Sequence, residues 1–220
     1  AAAAPQEPGA NIVRHEGILA PGFIDAHVHY PQTDIIGAYG KSLLDWLSDY
    51  TFPLEARFSD PVLAAEVAEA FLDELLRNGV TTALVFATQH VIATDALFAA
   101  AQKRAMRLIG GKVLMDRGAP AELLDPPGGG IADSEALIGR WHNKDRLLYA
   151  ITPRFAVTSS DAQLQAAGEL AARYPDVYVH THLAENTDEC SFVQNAFPGC
   201  GDYLAVYEKF GLVRPRSIYA

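Results

Sequence analysis

Short apolar runs alternate with helix-length amphipathic stretches along this chain, and that alternation narrows its fold more than any other feature. The runs occupy residues 18–29 (ILAPGFIDAHVH), 80–88 (VTTALVFAT), 107–116 (RLIGGKVLMD), 147–157 (LLYAITPRFAV), 177–183 (VYVHTHL) and 217–220 (SIYA). They are too short for helices and rich in Val, Ile, Leu and Thr, so they read as strands. The first is expected to be buried, with Ile18, Leu19, Phe23 and Ile24 in the core and a Pro21-Gly22 turn within it. Gly110-Gly111 soften the third. A helix is predicted over 60–78, capped by Asp60, with Pro61 in its first turn and Asn78-Gly79 at its end. Val62, Val67, Phe71, Leu75 and Leu76 are its expected buried face. Further helices are predicted from Thr94 or Asp95 to about Met106, from Ser134 to about Asn143, from Ser160-Asp161 to about Tyr174, and over 201–210. Pro126 to Gly130 reads as a loop. Nearly continuous apolar strands separated by helices specify a parallel sheet covered by helices.

Composition bounds the function. Half of the 220 residues are hydrophobic, enough for one sizeable core. A formal net charge of -10 disfavours nucleic acid and anionic membrane surfaces, both of which repel it. No window approaches the uninterrupted apolar length of a membrane helix. Residues 1–10 (AAAAPQEPGA) lack the basic start and apolar centre of a secretion signal and read as a truncated or artificial start. Cys190 and Cys200 form no CxxC pair and are expected as reduced thiols of a cytoplasmic protein.

A parallel sheet of this kind is an open doubly wound sheet or a (β/α) barrel. No glycine-rich phosphate loop follows the first strand, which disfavours a nucleotide-binding open sheet. His29, Arg154, His182 and Glu185 all fall at or just past the carboxyl ends of strands, where barrel enzymes place their chemistry. The expected fold is therefore a TIM-type (β/α) barrel, running from its first strand to the start of its sixth. The chain is shorter than the usual eight-fold barrel and stops in mid-pattern.

His27-Val28-His29 ends the first strand. Residues i and i+2 of a strand share a face, so both imidazoles can grip one metal ion from one side. His182 ends the fifth strand and precedes Glu185 by three residues. It can complete a three-imidazole face, with Glu185 placed to handle a water's proton. Such a donor set suits zinc or ferrous iron with one position left open. His180 shares the strand face of His182 and is expected beside the ligands rather than among them. His15, His90 and His142 are expected at the surface or at helix caps.

The segments PGFIDAHVHYPQ (21–32), LLDWLSDYTFPLE (43–55), ITPRFAVTSS (151–160) and HTHLAEN (180–186) resemble the amidohydrolase superfamily and, within it, the guanine deaminases. The resemblance runs from about Ile18 to Ala220. It implies zinc on His27, His29 and His182, proton transfer by Glu185, and purine contacts from Gln32, Arg154 and Phe155. It also implies hydrolytic deamination of guanine in a cytoplasmic homodimer. Trp46 and Phe52 are candidates for an aromatic pocket wall, although LLDWL at 43–47 also suits a packed short helix. Phe155 suits core and stacking platform equally. The fourth strand carries no lysine, where two-metal relatives place a carboxylated one, so a single metal is expected. The family's later histidine and aspartate would fall after Ala220. Residues 1–17 would be a remnant of its small β-sandwich and 18–220 the partial barrel, not active alone. The alternatives are an aminohydrolase acting on a triazine, pterin or oxidised purine, and a non-catalytic scaffold of the same fold.

Overall fold

The computed structural model describes residues 9, 11, 13–39 and 42–220. Among them, seven parallel strands form one sheet: β1 (Phe23–His29), β2 (Val80–Phe86), β3 (Arg107–Gly111), β4 (Val113–Leu114), β5 (Leu147–Pro153), β6 (Tyr178–Thr181) and β7 (Ser217–Tyr219). The order is β1-β2-β3-β5-β6-β7, with β4 paired to β5 beyond β3. The predicted third strand is thus two pieces. Lys112 breaks it because its amide donates to the Tyr149 hydroxyl (3.1 Å) and its ammonium is drawn to Asp125. Gly111 has to be glycine: a Cβ there would sit 1.8 Å from the Ala150 carbonyl oxygen.

The sheet is curled. In a flat sheet β1 and β6 would lie four strand spacings apart, roughly 19 Å. Instead the ring of His27 on β1 reaches His180 on β6 at 2.8 Å. Consecutive parallel strands joined by helices and bent this far make a partial (β/α) barrel, as the alternation predicts.

The helices are α1 (Leu43–Trp46), α2 (Phe52–Ala56), α3 (Pro61–Arg77), α4 (Val91–Lys103), α5 (Gly129–Trp141), α6 (Asp161–Arg173), α7 (Thr187–Ala196) and α8 (Tyr203–Lys209). A π-helical turn, Leu47–Thr51, joins α1 to α2. The α3 prediction holds at both ends, since the Asp60 carboxylate accepts from the Val62 amide and Gly79 takes φ 81°. Its buried stripe is Ala64, Val67, Ala68, Phe71 and Leu72. Val62 and Leu76 are exposed instead, because they lie off that stripe. α4 begins at Val91 rather than Thr94 or Asp95, and Asp95 turns to Trp141 and Arg140. α5 begins at Gly129 rather than Ser134, which is buried within it. α7 was not expected.

The start of the first strand is also a correction. Ile18, Leu19, Phe23 and Ile24 are 97%, 91%, 68% and 73% exposed. Among the described residues no strand pairs with the free edge of β1, so this apolar run has nothing to pack against on that side. Most of segment 1–17 lies outside the described residues, and its described part carries no strand. No helix among the described residues is long and apolar enough to cross a membrane.

Candidate active site

β1 delivers His27 and His29 to the inner face of the curl, and the turn after β6 delivers His182. Their three Nε2 atoms stand 3.0–3.2 Å apart. Donors placed tetrahedrally at about 2.0–2.1 Å from zinc would be roughly 3.3–3.4 Å apart. The cluster therefore fits one ion with little movement, and these three residues form the metal-capable group among the described residues.

The other ring nitrogens are held from outside. His182 Nδ1–H donates to the Arg154 carbonyl oxygen at 2.8 Å, which leaves its Nε2 as a free lone pair. His27 Nδ1 lies 2.8 Å from His180 Nε2, and donation from His27 leaves its Nε2 equally free. His180 is fully buried beside the ligands. His29 Nδ1 meets the Gln32 amide at 3.2 Å; with the amide oxygen turned inward, that bond frees the third Nε2. Burial pushes all four imidazoles below their usual range, His182 to about 3 and His180 to about 2. Neutral rings are the form that binds metal. The fully buried Phe86 packs against His29, His180 and His182, with centroids 4.3–4.8 Å away.

Above the imidazoles lies a cavity of about 240 Å³. Its lining contains His27, His29, Gln32, Trp46, Arg154, Phe155, His182 and Glu185, together with Leu43 and Leu47. Eight of the nine site candidates from the sequence thus meet at one opening, and Phe52 is the exception. Gln32 stands on a short 3-10 helix after β1, and Arg154 and Phe155 follow β5 directly. Trp46 ends α1 and forms a wall, whereas Phe52 lies under the Arg154 guanidinium, 5.4 Å from ring centroid to Cζ. Phe155 is buried, so it serves as both core and lining. His90 and His142 flank helices, and His15 is exposed.

Glu185 stands at the rim. Ala184 takes φ 59°, a left-handed conformation unusual for a residue with a Cβ, and this turns Glu185 toward the cavity. Beneath it the buried Glu189 accepts the backbone amides of Glu185 and Asn186 at 3.0 and 3.2 Å, closing the capping box of α7. Desolvation, then the negative charge of Glu189, push the Glu185 carboxyl above its ordinary range.

Three supporting residues escaped the sequence reading. Glu55 of α2 is fully buried and grips Arg154 with both carboxylate oxygens at 2.7 and 3.0 Å. It stood inside a quoted motif, but nothing local announced a partner 99 residues away. Phe86 carried only the signal of a strand-core aromatic. Glu189 was findable, since Asn186-x-x-Glu189 is a capping-box spacing.

A curled parallel sheet with three convergent imidazoles at its carboxyl end defines a partial (β/α) barrel with a candidate metal site. The chain belongs to the amidohydrolase family, whose pattern matches residues 18–220. Within that family its likeness is to guanine deaminases. It is 51% identical over 203 residues to the guanine deaminase of Escherichia coli (strain K12), across 92% of this chain and 46% of that protein. The solved E. coli structure matches with a TM-score of 0.89, covering 90% of this chain and 46% of that one. A probable guanine deaminase of Deinococcus radiodurans is 46% identical over 204 residues, across 93% and 46% of the two chains. A guanine deaminase from C. acetobutylicum, solved with guanine in its active site, is 32% identical with a TM-score of 0.86, covering 90% and 48%. The chain spans about half the length of these relatives.

Proposed function

We propose that this chain contributes the imidazoles, proton shuttle and purine-reading residues of a zinc-dependent guanine deaminase. The observation that carries the reading is the convergence of three Nε2 atoms within 3.0–3.2 Å at a cavity also lined by Glu185 and Arg154. His27, His29 and His182 would hold the ion. When bound, it supplies the Lewis acidity that brings the pKa of water toward about 7.

The protein's own groups do the rest. Trp46 and Phe155 wall the ring, and Gln32 supplies an amide that can donate and accept. The Arg154 fork donates to the O6/N7 edge of guanine. Holding the ring this way presents C2 to the attacking water. Glu185 takes the water's proton and passes it to the ring nitrogen next to C2. It then relays the remaining proton of the added oxygen to the departing amine as the C2–N bond breaks and C2=O forms. One C2–O bond forms, ammonia leaves, and xanthine results. A raised carboxyl pKa suits a group that must both accept and return a proton near neutrality.

Zinc rather than ferrous iron, a cytoplasmic setting and a homodimer belong to the same reading. So does the division into an N-terminal segment 1–17 and a partial barrel 18–220. Light scattering of the intact protein measures the assembly. The direct test is incubation of the intact, zinc-loaded protein with guanine, adenine, cytosine and an amino-triazine, following ammonia and product. Guanine converted to xanthine with adenine left nearly untouched supports the reading. Preferential turnover of the triazine would replace the purine assignment.

A further inference from the structure

The Arg154–Glu55 pair joins the turn after β5 to α2 and is almost wholly buried, with side chains 3% and 0% exposed. Glu55 takes Nη1 alone, through both of its oxygens. Among the described residues no protein acceptor reaches Nε or Nη2, while the side chain lines the cavity. Phe52 backs the guanidinium plane. The fork is thus fixed at one end and open at the other.

Fixing has a second consequence. A guanidinium stays charged in any protein setting. Alone in a buried cavity it would be an anion site, and carboxylates or ionised heterocycles would compete for it. With a buried carboxylate on its far side, the pair presents two donors and almost no net charge. We infer that Glu55 is the positioning and charge-balancing residue of this site, aiming Arg154 and selecting uncharged heterocycles over anionic ones. The selection matters for turnover, because the diketo product is more acidic than the amino-keto substrate. A balanced site releases the ionised product instead of holding it. This inference rests on the purine-binding reading above and adds the ligand's charge state to it.

The test is calorimetric binding to the intact, zinc-loaded protein. Hypoxanthine serves as the neutral ligand: it keeps the O6/N7 edge and has no 2-amino group to lose. Urate serves as the anion. The wild type is expected to prefer hypoxanthine. Glu55→Gln should shift the urate-to-hypoxanthine affinity ratio toward urate by about tenfold or more and raise KM for guanine more than it lowers kcat, with zinc content unchanged. Glu55→Asp keeps the charge but shortens the reach. It should weaken both ligands and leave the ratio near that of the wild type. An unchanged ratio in a folded, zinc-loaded Glu55→Gln protein overturns the inference while the functional reading stands. If Glu55→Gln does not fold, an Asp variant whose ratio moves toward urate also overturns it, as does loss of zinc and fold in both variants. A wild type that binds neither purine removes the functional reading, and this inference with it.

Discussion

Arg154 and Arg104 are both held by carboxylates, and the contrast between their surroundings separates the site from its scaffold. Arg154, at the carboxyl end of the sheet, is paired with Glu55 where neither side chain meets solvent. Arg104, just past α4 on the outer layer, reaches Glu69 and Asp73 of α3, whose side chains are 39% and 56% exposed. The chemistry of the two clusters is alike. The inner pair gives up its hydration for one fixed geometry, whereas the outer cluster stays wet and screened. Burying a charge pair costs desolvation, and this pair opens onto the cavity.

If that contrast is right, substitutions at the inner end should act on chemistry and those outside should do little. The largest effect belongs to the imidazoles. His182→Ala should cost metal affinity beyond the roughly 10–100-fold typical of losing a supporting hydrogen-bond partner, and turnover with it. Metal content after dialysis measures this, and a variant that keeps both metal and activity breaks the site assignment. Glu185→Gln should retain zinc and slow turnover by about 10²–10⁴-fold. Equal loss of metal and activity would make Glu185 a ligand instead.

Arg154→Ala comes next. It leaves Glu55 buried and unpaired, so it should destabilise the fold by about 3–5 kcal/mol and weaken guanine turnover selectively, with zinc still bound. Denaturant unfolding and a guanine–adenine comparison read the two parts. Glu189→Gln probes the shuttle more finely. Glu185 must be ionised to accept a proton, and its raised pKa sets the acid limb of the pH–rate profile above the ordinary carboxylate range. Neutralising Glu189 removes one cause of that rise, so the limb should move to lower pH. A limb that stays in place separates Glu185 from that limb. The smallest effect is expected outside: Arg104→Ala should cost about 0.2–1 kcal/mol at most and leave guanine kinetics unchanged. A loss there as large as at Arg154 would erase the distinction between the two regions.

The same division explains what could be read in the sequence. The strand–helix alternation and the His27-x-His29 spacing are local patterns, and they led to the half-barrel, its carboxyl-end site and the three imidazoles, whereas Gln32, Arg154 and Phe155 came from the resemblance of longer segments. What stayed hidden depends on distance. Nothing near Glu55 names Arg154, because only the curl of the sheet brings them together. The apolar run at Ile18 and Leu19 reads as core, yet burial needs a neighbour, and the described residues offer none. α7 escaped because it carries a single buried apolar residue, Val193, and rests on its Asn186–Glu189 cap rather than on a stripe. α5 starts early for a similar reason, its first turn being the glycines after the left-handed Gly128.

A metal on the three imidazoles and a purine on Arg154 must occupy one site together. Zinc-edge anomalous diffraction from crystals of the intact protein grown with hypoxanthine measures both at once. The expected result is one metal peak, bonded to Nε2 of His27, His29 and His182 at about 2.0–2.1 Å, with the purine O6/N7 edge on Arg154. A metal peak away from these imidazoles, a second peak beside the first, or a purine seated elsewhere would contradict it.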